Sequence, residues 1–187
     1  MQPMDQKKSP EIARFSFADG GEASFYVDML IEEEGFTPVA KKLFGEEKVT
    51  IGHGHYGGDF KEGDRITKKQ AKERLIKDIN KRLPEIKKAI PKFNSFSDNL
   101  KRRLFSSWFR GSLPQSPTTI KLLNAGLFAE ASKEFLNFQE YKDAKIGKTN
   151  KRGIVNRMEK TADAISNEQD NLQKTFPKPQ SKPKPRE

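Results

Sequence analysis

A chain of 187 residues is the size of one domain with room for appendages, and 33% hydrophobic content is thin for that length. Thirty-six Lys and Arg against twenty-six Asp and Glu leave +10, so the expected partner is a polyanion: nucleic acid, an acidic membrane surface or a cell-wall polymer. The absence of cysteine excludes disulfide scaffolds, thiol catalysis and sulfur-ligated metal, and with two histidines a metal site would need carboxylate help.

Residues 1–21 hold Pro3, Pro10 and Gly20-Gly21 without periodicity and read as an N-terminal arm, with Phe15 and Phe17 available to dock. They lack the apolar centre of a signal peptide, and no later run approaches the ~18 apolar residues of a transmembrane segment. A soluble chain made in a cytoplasm is therefore expected. Ala23 to Glu34 places Tyr26, Val27, Leu30 and Ile31 on one helical stripe and stops at Gly35, the residue expected just past a helix end. From Leu43 to about Ile66 the pattern is not helical. Val49 to Ile51 read as extended, and Gly45, Gly52, Gly54, Gly57, Gly58 and Gly63 force turns.

Thr67 and Gln70 form a T-x-x-Q capping box, followed by Ala71, Leu75, Ile79 and Leu83 at four-residue steps, with Pro84 expected to end the run. Leu100, Leu104, Phe105, Trp108 and Phe109 mark another helix. Ser116 with Pro117 opens a short one that ends before Gly126; Phe128, Ala131, Phe135 and Phe138 mark the next. Ile154, Val155, Met158, Ala162 and Ile165 make the last. From Ser166 the chain turns polar, and prolines alternate with basic residues from Pro177 to Arg186, so residues 166–187 read as an extended, mobile basic tail.

Most of the excess charge is local: residues 61–103 hold fifteen Lys or Arg and six Asp or Glu, a net +9. The stretch is Lys-dominated with few aromatics for base stacking, which points to long-range attraction of a polyanion rather than specific nucleic-acid readout. Gly52-His53-Gly54-His55-Tyr56-Gly57 matches the dinucleotide-binding G-x-G-x-x-G, but the helix that its last glycine should open waits until Thr67. His53 and His55, spaced to point the same way on a strand, are candidate metal ligands with Asp59; without a second cluster, hydrogen bonding and packing is the better account, and no metal or cofactor is expected. Glu32, Glu33 and Glu34 close the first helix, where like charge and the helix dipole oppose ionisation. A carboxyl there suits general acid catalysis if it faces a cleft, and Glu34 lies nearest the strand region.

Glu34-Gly35-Phe36, sixteen residues ahead of Thr50-Ile51-Gly52-His53-Gly54-His55, resembles the phage-type lysozymes, whose pattern is E-G-(F/L), a hairpin, then T-I-G-x-G-H. Asp64-Arg65-Ile66-Thr67, Leu122-Leu123-Asn124-Ala125-Gly126 and Arg152-Gly153-Ile154-Val155-Asn156-Arg157 resemble three further family motifs, in order, over about residues 25–165. The resemblance implies an α+β, mainly α, two-lobed fold with a small β-hairpin lobe after the first helix, and a catalytic domain over 22–165. It implies a muramidase acting on the β-1,4 bond between N-acetylmuramic acid and N-acetylglucosamine of peptidoglycan, serving a bacteriophage in host lysis or wall penetration. Glu34 would be the general acid, and Thr50 would hold the attacking water with a second carboxylate, the arrangement of an inverting glycosidase.

Two departures from the family stand out. The Asp that relatives carry six residues before the Thr is Phe44 here, so Glu46 in the turn Gly45-Glu46-Glu47-Lys48 is the favoured replacement, ahead of Glu47. Where relatives carry F-N-x-G this chain has Trp108-Phe109-Arg110-Gly111, which leaves the substrate-binding residues unassigned. The alternative of another class is a virion structural or internal protein with an inactive lysozyme fold. In either case, residues 1–21 and 166–187 are the candidate contacts to other virion proteins.

Overall fold

The computed structural model of the chain describes residues 21–42, 47–149 and 152–175, with side chains left out at 152 and 173–175. Residues 1–20 of the expected arm, residues 43–46 in the turn, Phe44 and Glu46 among them, and residues 176–187 of the expected tail lie outside the described residues. The chain divides into two compact units between Ile76 and Lys77.

In the first unit a short 3-10 turn leads into α1 (Ser24–Glu34), which buries Tyr26, Val27 and Leu30 along one stripe. Three antiparallel strands follow in the order β1 (Thr37–Lys41), β2 (Val49–Gly52), β3 (His55–Gly57). The first strand begins six residues before the stretch where strand was expected. Its Thr-Pro-Val-Ala-Lys sequence has no strand signature of its own, and Pro38 withholds one ladder donor. Pairing supplies what propensity lacks. One side of β1 meets β2, and on the other Ala40 N–H donates to Asp64 O (2.8 Å), Gly63 N–H to Ala40 O (3.0 Å) and Ile66 N–H to Pro38 O (2.9 Å), which blunts an otherwise open edge. Ala40, Val49, Ile51, Ile66 and Ala71 form the small core of this sheet, with Phe36 and Phe60 packed against it.

The capping box forms as the sequence requires: Gln70 N–H donates to Thr67 Oγ1 (3.2 Å) and Thr67 N–H returns to Gln70 Oε1 (2.9 Å). It opens α2 (Lys68–Ala89), which does not stop at Pro84. The ring removes the bond to the carbonyl of residue 80 at a cost of roughly 3 kcal/mol in a helix interior. Burial of Leu83, Ile86 and Ile90 in helical register with Ile79 continues through the proline and outweighs it.

The second unit takes the rest of α2 and the helices that follow. α3 (Asp98–Phe109) is capped by Ser97; α4 (Pro117–Ala125) carries proline in its first turn and ends on Gly126 in the left-handed conformation. Asn124 Nδ2 donates to Ala89 O (2.9 Å), so the motif Leu-Asn-Ala-Gly closes the carbonyl end of α2. The single helix expected from Phe128 through Phe138 is two, α5 (Phe128–Phe135) and α6 (Gln139–Lys145). Phe138 is extended and stands before α6, having mimicked the period of the helix it follows. α5 packs on α7 (Arg152–Ser166), where Ser132 Oγ donates to Ala162 O (2.8 Å).

A last helix, α8 (Glu168–Thr175), occupies part of the stretch expected to be extended tail. Its polar sequence concealed an internal partner. Glu168, fully buried, accepts from the Ser97 N–H (2.7 Å) and the Ser97 hydroxyl (2.5 Å), while Ser97 Oγ accepts from Leu100 N–H (3.4 Å). This is the reciprocal bonding of a capping box, with Leu100 where the local Glu would stand and the carboxylate supplied from 71 residues away. Among the described residues no helix is long and apolar enough to cross a membrane.

Candidate active site

Glu34 is the last residue of α1, and Gly35 caps the helix by returning its N–H to Ile31 O (3.0 Å). Gly35 then takes φ 67° and ψ −158°, a conformation nearly confined to glycine, and swings the chain from helix into β1. Its carbonyl accepts a hydrogen bond from His53 Nδ1, at the turn between β2 and β3. The neighbouring Gly54 faces the Glu34 side chain: a Cβ there would lie 3.2 Å from Glu34 Oε2 and 3.5 Å from its carboxyl carbon. Two consecutive residues at the helix end therefore clasp two consecutive residues of the hairpin, and the lack of a side chain at Gly54 is what lets the carboxyl lie against the turn. Glu34 itself is half-buried.

Thr50 lies on β2 between Val49 and Ile51, both buried, so strand alternation puts it on the opposite, more open face. Tyr56 of β3 is its cross-strand partner and is 43% exposed. The Tyr56 hydroxyl accepts from the N–H groups of Glu47 (3.3 Å) and Lys48 (3.2 Å), which fastens the end of the β1–β2 turn to the Thr50 face. Of the sequence-predicted site residues, Glu34 and Thr50 thus belong to one unit, Glu47 is exposed at the edge of the same sheet, and Glu46 lies outside the described residues.

The histidines do not share a face. The turn separates them, and they take opposite tautomers. A carbonyl only accepts, so His53 carries its proton on Nδ1 toward Gly35; its ring is 6% exposed and packs beside Phe36 at 5.6 Å. A guanidinium only donates, so His55 Nδ1 accepts from Arg74 Nε (3.2 Å), and Nε2, carrying the proton, faces Asp59 Oδ1 (2.9 Å). Arg74 Nη2 also comes within 2.9 Å of Nε2, but two donors do not bond, and its partner is Asp59 Oδ2. The His55 hydrogen bond, with help from Arg74, holds the Asp59 carboxyl below the usual aspartate range. Phe60 sits beneath this network, 5.9 Å from the His55 ring and 6.0 Å from the guanidinium. Gly57 has no room for a side chain, since a Cβ would come within 2.6 Å of both Asp59 Oδ1 and His55 Nε2. Among the described residues no third acidic or imidazole group joins His55 and Asp59. The expectation that these groups hydrogen-bond and pack or bind metal lacks Arg74, whose only signal in the sequence is its place one turn beyond the capping box.

In the second unit the Arg82 guanidinium lies 4.3 Å over the Phe109 ring and donates to Phe109 O. Arg110 follows as the exposed cap of α3.

A mainly helical chain with a small antiparallel sheet after its first helix, and a carboxyl at that helix end held against the hairpin, has the lysozyme-like α+β architecture. The chain belongs to the phage lysozyme family, whose sequence model matches residues 31–161. Among solved structures it is similar to the muramidase domain of SpmX from Asticaccaulis excentricus, with 19% identity over 74% of this chain and 92% of that one and a TM-score of 0.57. No curated protein matches the chain.

Proposed function

We propose that the chain is a peptidoglycan muramidase that a bacteriophage uses for host lysis or wall penetration. The observation that carries this reading is the clasp that sets the Glu34 carboxyl against Gly54 of the hairpin, in a chain of the phage lysozyme family. Glu34 gives its proton to the glycosidic oxygen as the β-1,4 bond between N-acetylmuramic acid and N-acetylglucosamine breaks. Thr50, on the open face of β2, orients the water that attacks the anomeric carbon, and a carboxylate of the β1–β2 turn, Glu46, takes the water's proton. We assign catalysis to residues 22–165, with α8 stapled to that domain by Glu168. Residues 1–21 and those beyond α8 are then the candidate contacts to other virion proteins.

The basic stretch fits such a substrate. Lys77, Lys81 and Lys88 share one exposed stripe of α2, and among the described residues none of the three has a carboxylate partner. Such a stripe attracts a wall rich in carboxylates.

Clearing of permeabilised Gram-negative cells tests the reading. Glu34→Gln is expected to slow clearing by ~10²–10⁴, the range supplied by general acid catalysis, with an unchanged melting temperature. Equal clearing by parent and variant removes Glu34 from the chemistry. A parent that clears nothing favours an inactive lysozyme fold in the virion, the reading that Phe44 in place of the family Asp supports.

A further inference from the structure

We infer that His53 is a positioning residue for the Glu34 carboxyl, an inference that rests on the muramidase reading. The position between the two glycines of Gly52-His53-Gly54 imposes no imidazole on the turn, yet here the ring is buried and makes a directed bond. That bond spans 18 residues and ends on the carbonyl of Gly35, the residue directly after Glu34. Gly54, directly after His53, supplies the surface against which the Glu34 carboxyl rests, 3.2 Å from where a Cβ would be. The bond and the contact are thus two rungs of one clasp, and releasing the first loosens the second.

Hydrophobic packing alone does not set such a register. Phe36 and His53 touch through tilted rings, a contact that tolerates sliding, whereas Nδ1–H to a carbonyl fixes the turn to within the reach of one hydrogen bond. Gly35 makes this necessary. Its φ and ψ leave the peptide after it without support from helix or strand, so the carbonyl needs an external donor to be held. Neutral histidine in water prefers its proton on the other nitrogen, so the Nδ1–H form is itself a mark of the contact.

The experiment uses the full chain and purified peptidoglycan, with rates taken over a range of substrate concentrations and melting curves recorded beside them. His53→Leu keeps the buried volume and removes the donor; it is expected to lower kcat about tenfold with KM within about twofold. His53→Asn, whose Nδ2 stands near the place of Nδ1, is expected to recover kcat to within about threefold of the parent. A folded His53→Leu with the parent's kcat overturns the inference, as does an Asn variant no better than Leu. Correlation of ring nitrogens with ring protons by NMR reads the parent directly: Nδ1–H on His53 beside Nε2–H on His55 is expected, and Nε2–H on His53 overturns the clasp even where His53→Leu does not fold. The same assay separates muramidase activity from the positioning role. An inactive parent brings down the muramidase reading, while an active parent indifferent to His53→Leu brings down the positioning role alone.

Discussion

Two polar clasps join distant parts of the chain, and they do different work. His53 to Gly35 lies in a glycine-rich turn, and it fixes where a carboxyl points. Ser97 to Glu168 ties the start of one helix to the start of another and fixes whether a helix stays docked. In the first unit geometry depends on what is absent, since a single methyl group at Gly54 meets the Glu34 carboxyl. In the second it depends on what is filled, since Phe105, Phe135 and Ile165 are fully buried and leave a polar group only a prearranged partner. Damage to the first should appear in rate, damage to the second in stability.

Apart from removal of the Glu34 carboxyl itself, the largest effect is expected at Gly54. Gly54→Ala forces an L residue to φ 75° and pushes a Cβ to 3.2 Å from Glu34 Oε2, where the flexible carboxyl gives way first. The backbone strain costs roughly 1–3 kcal/mol and the displaced acid lowers kcat by as much as ~10². Gly63→Ala is the control, with φ 90° and nothing within 4 Å of the added methyl. It should lose stability to a similar extent and keep kcat, as measured by melting curves and clearing rates together. Matching losses of kcat in the two variants would erase the contrast between site and scaffold.

Glu168→Ala reverses the pattern. It leaves the Ser97 N–H and hydroxyl without their acceptor at a partly buried helix start, a loss of about 1–3 kcal/mol, and for a chain of this size each kcal/mol lowers Tm by about 2–4 °C. Clearing rate per folded molecule should not change. Glu168→Gln, which keeps one carbonyl acceptor, should lose less. A Tm unmoved by Glu168→Ala would mean that α8 is held by packing and that the long-range cap is incidental.

The same contrast governs how far the sequence could be read. Local signals succeeded wherever the partner is a few residues away: Thr67 with Gln70, Ser116 and Pro117 before α4, Gly126 after it. They failed where the deciding contact is remote. β1 is a strand because residues 63–66 and β2 flank it, despite Pro38; α2 passes Pro84 because Ile86 and Ile90 find burial; α8 looks like tail until Glu168 meets Ser97. At the candidate site, spacing and family resemblance single out Glu34 and Thr50, and they mark the glycines of Gly-His-Gly only as places where the chain turns. The role of His53 is not legible there, because a tautomer and its acceptor belong to the turn geometry and leave no mark in residue order.

The smallest expected effect lies between the two units' styles, at Asp59, a charged cluster on the edge of the glycine-rich hairpin. Its carboxyl is held below the ordinary value of 3.8, first by the hydrogen bond from His55 and with help from Arg74. A folded-state pKa below the unfolded one means that the unfolded chain binds the proton more readily. The pairing therefore contributes its full stability above pH 3.8, and that contribution is lost as pH falls through the lowered folded value. Asp59 is 44% exposed, so solvent screening keeps the total small. Asn at 59 imitates the protonated acid. The difference in Tm between parent and Asp59→Asn should accordingly be greatest near neutral pH and close as the solution is acidified below about pH 4. A difference that stays constant down to pH 2 would assign the effect to amide geometry rather than charge, and would place the His55–Arg74 cluster with the packed scaffold instead of the electrostatically ordered hairpin.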